Sequence, residues 1–264
     1  MPELADFDVA RVRAGNPGPL TLSGTNTWLI GRDPAWIVDP GPALVEHLEA
    51  VSAEAARRGG VGGIALTHAH ADHAGGTAGL RERTGEPPVG AAAGEADVAL
   101  ADGDPFGPFV AVSTPGHAPD HLAYVAGPVC FSGDAVLGEG SVLVAPDAAA
   151  PGALGRYLAA LRRLRERDLE LICPGHGPPV WDPPAKLDEY VAHRLERERR
   201  LVSALEEGLR RPGELIDAVW DDAPRALRPA AAITLAAHLD KLESEGRLPA
   251  GVQRPDLSGL PEGV

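Results

Sequence analysis

The chain has 264 residues, 44% of them apolar, which is enough to bury a core unaided as one large domain or a main domain with a small appendage. Its formal net charge of −14 repels polyanions and disfavours non-specific nucleic-acid binding. It has neither an apolar run of about 18 residues nor a basic, apolar leader, so the expectation is a soluble cytoplasmic protein with no membrane association.

Aromatic residues make up only 4%, so the core must rest on Ala, Val, Leu and Ile, while 32 Gly and 26 Pro read as many turns. In chain order, Thr21 to Ile30 and Ala35 to Val38 read as two strands of a hairpin, closed by Asp39-Pro40-Gly41. Leu44, Val45, Leu48, Val51 and Ala55 recur at helical spacing and predict an amphipathic helix over 42–58, stopped by Gly59-Gly60. Ile64 to Thr67 is a short apolar strand. A helix over 75–84 and strands at 89–92, 109–113, 121–126 and 129–132 follow, then a helix over 152–167 and a strand from Leu169 to Cys173. Cys130 and Cys173 each end an apolar run and read as buried thiols in a reducing compartment.

After Pro183-Pro184 the pattern is helical only: 186–209, 212–221 opened by Pro212, and 229–245 ending at Gly246. The residues beyond 245 read as a short wing or a loose tail. These patterns divide the chain into an α/β domain, 1–184, and a helical C-terminal domain, 185–264.

The chemistry concentrates in Thr67-His68-Ala69-His70-Ala71-Asp72-His73, four candidate metal ligands directly after a strand. In extended backbone, residues i and i+2 point the same way, so His68 and His70 can share one cation. Where the chain then turns into a helix, Asp72 and His73 can face a second cation. So many costly polar groups at the end of a buried strand have no ready structural explanation. Three more polar residues stand beside glycine or proline just after apolar strands: His117 in Thr114-Pro115-Gly116-His117, Asp134 in Phe131-Ser132-Gly133-Asp134, and His176 in Cys173-Pro174-Gly175-His176. The isolated His47, His193 and His238 read as surface or satisfied structural residues. His121 has two readings, one facing the substrate side of the pocket and the other hydrogen-bonded within its loop.

This ordered set resembles the metallo-β-lactamase superfamily, whose motifs are an Asp after the second strand, HxHxDH, a His, an Asp and a final His. All stand in order from Asp39 to His176, within residues 10–180. The resemblance implies an αββα sandwich and two bound Zn²⁺ ions, the first held by His68, His70 and His117 and the second by Asp72, His73 and His176. Asp134 would bridge the two, and Asp39 would support the histidine loop. It further implies a hydroxide shared by the two metals as the nucleophile, with Asp72 as an additional catalytic group. Iron or manganese is compatible with the same ligand types, although His70 stands where the flavo-diiron branch has Glu. The Cys of the secreted class B1 β-lactamases is replaced by Asp134, which argues against β-lactam hydrolysis.

Asn16-Pro17-Gly18, Gly24-Thr25-Asn26-Thr27, Asp120-His121 and His193-Arg194-x-x-Arg197-Glu198 extend the likeness to the β-lactamase-like endoribonuclease group, which carries a small winged-helix-like C-terminal domain. Expected substrates are a small ester, thioester or lactone, or a phosphodiester such as single-stranded RNA. A non-catalytic, metal-stabilised regulatory protein is a third reading. Lys241 stands among Asp240, Glu243 and Glu245, so the appendage reads as a scaffold or homodimer element and not as a sequence-specific DNA binder. Arg194, Arg197, Arg199 and Arg200 read either as a local basic face toward an anion or, by default, as a solvated helix paired with Glu196 and Glu198.

Overall fold

The protein is described from a computed structural model that covers residues 2–94, 96–147 and 150–258. The chain groups into two compact units: one takes the residues up to Thr114, Asp120–Ser141 and Arg167–Pro184, and the other takes Pro115–Pro119, Val142–Glu166 and the chain from Ala185 on.

The first unit holds two sheets. The first contains β1 (Val9–Arg13), β2 (Asn26–Ile30), β3 (Ala35–Val38), β4 (Val61–Ala65), β5 (Val89–Ala91) and β6 (Val98–Ala99), in that order. β1 to β3 are antiparallel, whereas β3 to β6 run parallel. The second sheet has the order β11-β10-β9-β8-β7, with β7 Pro105–Phe106, β8 Phe109–Ser113, β9 Leu122–Ala126, β10 Val129–Gly133 and β11 Leu171–Pro174. β10 and β11 are parallel.

The period of two along each strand sorts the side chains. Trp28, Ile30, Val38 and Ala65 join Phe109, Tyr124, Phe131, Leu171 and Cys173 in one core cluster fed by both sheets. The alternate residues Leu29, Ile37, Ile64 and Val89 pack instead with Leu48, Val51 and Ala55 of helix α1 (Val45–Arg57) and with Leu80 of α3 (Thr77–Thr84). The predicted helix over 75–84 is α3, preceded by the short α2 (Ala71–Ala74), and the predicted strand from Thr21 begins only at Asn26. β1, absent from the sequence reading, hides at the sheet edge, where Arg11 and Arg13 face solvent. Cys130 and Cys173 are buried free thiols on neighbouring strands.

The second unit is helical: α4 (Ala153–Arg165), α5 (Pro183–Glu206, which enters it at Ala185), α6 (Pro212–Val219) and α7 (Arg228–Ser244). Leu201, Leu205, Leu215, Val219, Leu235 and Leu239 anchor its own core. Within this unit α4 packs against α7, and the Gly152 N–H donates to the Asp240 carboxylate at 2.7 Å. Among the described residues no strand follows β11, and residues 259–264 of the expected tail lie outside them. No helix among the described residues is long and apolar enough to cross a membrane.

The default picture of a solvated arginine face on α5 holds for Arg199, which pairs with exposed Glu196. It fails for Arg194, Arg197 and Glu198, which are buried. Arg197 donates to the Val219 carbonyl and grips Asp222 through both terminal nitrogens, while Glu198 binds Lys241 and Arg247. Arg200 pairs with Asp221, so three of the four guanidinium groups are already matched to carboxylates.

Phe131 is fully buried, edge-on to Phe109 at 5.7 Å and to Trp28 at 6.5 Å. Phe131→Ala should lower the stability of the metal-free protein by about 3–5 kcal/mol, read from the urea midpoint, whereas a loss under about 1 kcal/mol would show that this cluster does not hold the first unit together.

Candidate metal centre

The ligand-rich loop leaves β4 in extended backbone and enters α2 with His70 as its N-cap, at φ −60° and ψ 142°. Asp39, after β3, fixes it in place. Its carboxylate accepts from the Thr67 N–H at 2.8 Å, the Thr67 hydroxyl at 2.7 Å and His73 Nδ1 at 2.8 Å. Having donated to Asp39, the Thr67 hydroxyl accepts from His68 Nδ1 at 3.0 Å. With Nδ1 of both rings committed to these bonds, Nε2 of His68 and of His73 is the nitrogen turned to the site.

There the donor atoms crowd together. His68 Nε2 stands 3.0 Å from His70 Nδ1, and His73 Nε2 stands 3.3 Å from His176 Nε2. Carboxylate oxygens of Asp72 and Asp134 each lie 3.5 Å from His73 Nε2, and 3.3 and 3.4 Å from His176 Nε2. Two triplets, His68–His73–Asp134 and Asp72–His73–His176, each gather their donor atoms within 4.8 Å of one another. Lone pairs at these separations repel unless a proton or a cation lies among them, and a buried set of imidazoles and carboxylates matches what Zn²⁺ prefers. Gly175 keeps the space clear: a Cβ there would fall 2.4 Å from Asp134 Oδ1 and 2.6 Å from His73 Cε1.

Burial works against the charge on His73, but Asp134 and Asp39 outweigh it and raise its pKa well above the ordinary imidazole range. Burial opposes His176 in the same way; hydrogen bonds to Asp134 and Asp72 prevail and lift it to about 9. Reciprocally, burial would raise Asp134, yet His73 and His176 hold it well below the usual carboxylate range, and Asp72 is lowered by His176 and His73 against its own burial. The imidazoles and carboxylates of the metal-free cluster thus favour one another's charged forms.

The remaining sequence candidates have partners of their own. His117 belongs to the segment Pro115–Pro119 of the second unit, where its Nδ1 donates to the Leu143 carbonyl at 3.0 Å. His121 is 1% exposed, bonds Thr114 Oγ1 through Nδ1 at 2.7 Å and accepts the Asp134 N–H on Nε2 at 3.1 Å. His47 pairs with Thr27 Oγ1 at 2.9 Å. His238 is fully buried; desolvation, followed by the charges of Arg194 and Lys241, pushes its pKa down to about 3 and keeps it neutral.

Two residues that the ligand motifs did not single out also build the site. Thr67 links Asp39 to His68, as described above. Asn26 donates to the carbonyls of Pro174 and Gly177 at 3.0 and 2.9 Å, and its backbone N–H donates to the Gly175 carbonyl at 2.7 Å, so β2 clamps the loop that presents His176. The only sequence signal for Asn26 was its place in Gly24-Thr25-Asn26-Thr27.

Residues 20–98 and 95–176 match the profile described as "Metallo-beta-lactamase superfamily". The "Beta-lactamase-like protein 2 homolog" of Caenorhabditis elegans is 32% identical over 257 residues, spanning 90% of this chain and 85% of that one. The chain belongs to the metallo-beta-lactamase superfamily. A second match, "Beta-lactamase associated winged helix domain", covers residues 212–249 of this superfamily member. The "Atrochrysone carboxyl ACP thioesterase" of Aspergillus chevalieri is 36% identical over 216 residues, 75% of this chain and 66% of that one. In fold, a beta-lactamase domain protein from Burkholderia ambifaria superposes with a TM-score of 0.77 at 22% identity, over 93% of this chain and 90% of that one. The fold is thus the α/β fold of the metallo-beta-lactamase superfamily, followed by a winged-helix domain.

Two predictions follow from this geometry. Asp39→Ala removes the acceptor for three donors at once and should weaken zinc binding about 10–100-fold in a chelator competition; unchanged affinity would deny Asp39 its orienting role. The second concerns protons. Because the folded pKa of His176 lies above 6.5, its contribution to the stability of the metal-free protein is full below about 6.5 and fades as pH rises through about 9. Metal must displace that proton, so zinc affinity should rise with pH over the same window. Calorimetry at pH 7 in buffers of different ionisation enthalpy should show proton release on zinc binding, and zero release would contradict the protonated pair.

Proposed function

We propose that this superfamily hydrolase is a dinuclear zinc enzyme acting on a small ester or thioester. The observation that supports it most directly is the convergence of His68, His70, Asp72, His73, Asp134 and His176 at hydrogen-bond distances, with Nδ1 of His68 and of His73 bonded to Thr67 and Asp39. His68 and His70, with His117 assigned by its place in the ordered motif, would hold the first ion. Asp72, His73 and His176 would hold the second, with Asp134 shared between them. When bound, such a pair supplies Lewis-acid polarisation of the scissile group and activation of water. The chain's own residues orient and desolvate that chemistry: Asp39 and Thr67 fix the imidazoles, Asn26 fixes the His176 loop, and Asp72, the most exposed carboxylate of the cluster, is placed to exchange a proton with substrate or solvent.

Three observations favour an acyl substrate over a polynucleotide. A cavity of about 350 Å³ opens beside His68, walled largely by Leu66, Ala69, Ala78, Ala91 and Ala93, with the one lining guanidinium, Arg81, already paired with Glu86 and Asp97, a surface that suits an acyl chain. The net charge of −14 opposes a long polyanion. A relative 36% identical over most of this chain is named as a thioesterase.

The test is turnover by the zinc-loaded protein of S-lactoylglutathione, a p-nitrophenyl acyl ester, a lactone, bis(p-nitrophenyl) phosphate and single-stranded RNA, with His68→Ala as control. Ester or thioester hydrolysis that falls to background in the variant is expected. RNA or phosphodiester cleavage without acyl hydrolysis would replace the acyl reading by the nuclease one, and absence of any turnover by protein holding two zinc ions would favour a non-catalytic role.

A further inference from the structure

Within the second unit, Arg194 lies in the interior of α5 at 2% exposure, an expensive place for a guanidinium. Two features of its surroundings lead to the same neighbour. Its Nη2 donates to the carbonyl of Val142, and the carbonyl of the next residue, Leu143, accepts from His117 Nδ1 at 3.0 Å. Its guanidinium also lies over the ring of fully buried Tyr157, 5.9 Å from the centroid. Tyr157 in turn lies against the backbone of Gly116, so closely that a Cβ there, at φ +152°, would fall 2.5 Å from Tyr157 Cβ. Gly116 is the residue before His117. One buried cation thus braces both the carbonyl strand that holds the His117 ring proton and the aromatic wall behind its backbone.

We propose that Arg194 is a positioning residue for His117: from the C-terminal α5 it fixes the ring's orientation and its Nδ1–H tautomer, so that Nε2 keeps its lone pair for the metal. The proposal rests on His117 being a ligand of the first ion. A neutral imidazole presents Nε2 to a metal only while Nδ1 carries the proton, and the bond that Nδ1 makes decides which tautomer prevails. Arginine suits the place because one planar group can donate to a carbonyl and stack on a ring, whereas an ammonium group does not stack flat. It also gives helix α5, which precedes the winged-helix match, a task inside the hydrolase, independent of any nucleic acid.

The test is nitrogen NMR of ¹⁵N-histidine-labelled full-length protein, metal-free and zinc-loaded, together with chelator competition for zinc. In the parent protein His117 should show the Nδ1–H tautomer before metal is added. Arg194→Met should mix the two tautomers and weaken one of the two zinc sites by about 10–100-fold, with Arg194→Lys falling between; the milder variant serves if the Met form does not fold. Arg197→Met, which breaks the neighbouring grip on Asp222, should leave the His117 tautomer unchanged. A parent-like tautomer and zinc affinity in Arg194→Met would overturn the proposal, as would an equal effect of Arg197→Met. If the tautomer shifts while neither Arg194→Met nor His117→Ala changes zinc affinity, the bracing holds but His117 is no ligand, which refutes the assignment beneath it.

Discussion

Three donors converge on the carboxylate of Asp39: the backbone and hydroxyl of Thr67 and the ring of His73. That arrangement spans the ends of two parallel strands, because Asp39 follows β3 and Thr67 follows β4, whose Val38 and Ala65 are paired in register. The carboxylate is 1% exposed and would be costly to bury without those donors. With them it holds the entire histidine loop at one angle. Everything nearer the centre inherits its orientation from this joint: the tautomer of His68 through Thr67, the direction of His73 through its own Nδ1, and the start of α2 through the Gly41 N–H, which donates to the His73 carbonyl at 2.9 Å.

The second sheet meets the first at the same place through backbone as well as through the charged side chains of the cluster. The Leu122 N–H donates to the Thr67 carbonyl at 2.8 Å, and the Gly175 N–H donates to the Gly133 carbonyl at 2.9 Å, so Asp134 and His176 arrive from the ends of adjacent parallel strands β10 and β11. Asn26 completes the fastening from β2. Asp134 and His176 can then meet the histidine loop without long loops of their own, since Asp134 directly follows β10 and His176 stands two residues beyond β11.

Much of this was legible because strand endings and ligand types coincide. Apolar runs terminated by His or Asp beside glycine marked the Asp39, His68–His73, Asp134 and His176 positions, whereas Trp28, Leu29 and Ile30 are all apolar, so which face of β2 enters which cluster is visible only in the fold. What escaped the sequence reading depended on partners far along the chain. β1 carries two exposed arginines and only becomes a strand by pairing with β2. Asn26 looks like any turn residue until the Pro174–Gly177 backbone lies across it. Arg194 and Arg197 share the helical spacing and charge of solvated residues, and nothing local distinguishes them from Arg199; their burial is set by α4, Trp220 and Asp222, which the helix meets only on folding.

The electrostatics of the cluster explain why such a site is tolerated in a folded core before it acts. Asp134, Asp72 and Asp39 bring negative charge to a region where water is scarce, and two protonated imidazoles, His73 and His176, neutralise much of it. Burial alone would drive Asp134, Asp72, His73 and His176 to their neutral forms, yet together these four shift one another toward the charged forms because the pairwise attraction exceeds the desolvation cost. A dication entering this place finds carboxylates that are already ionised and oriented, and needs only to exchange with protons. The same balance that keeps the metal-free core stable therefore preorganises the metal centre, and the cost of assembling like-charged carboxylates falls on folding, before substrate is present.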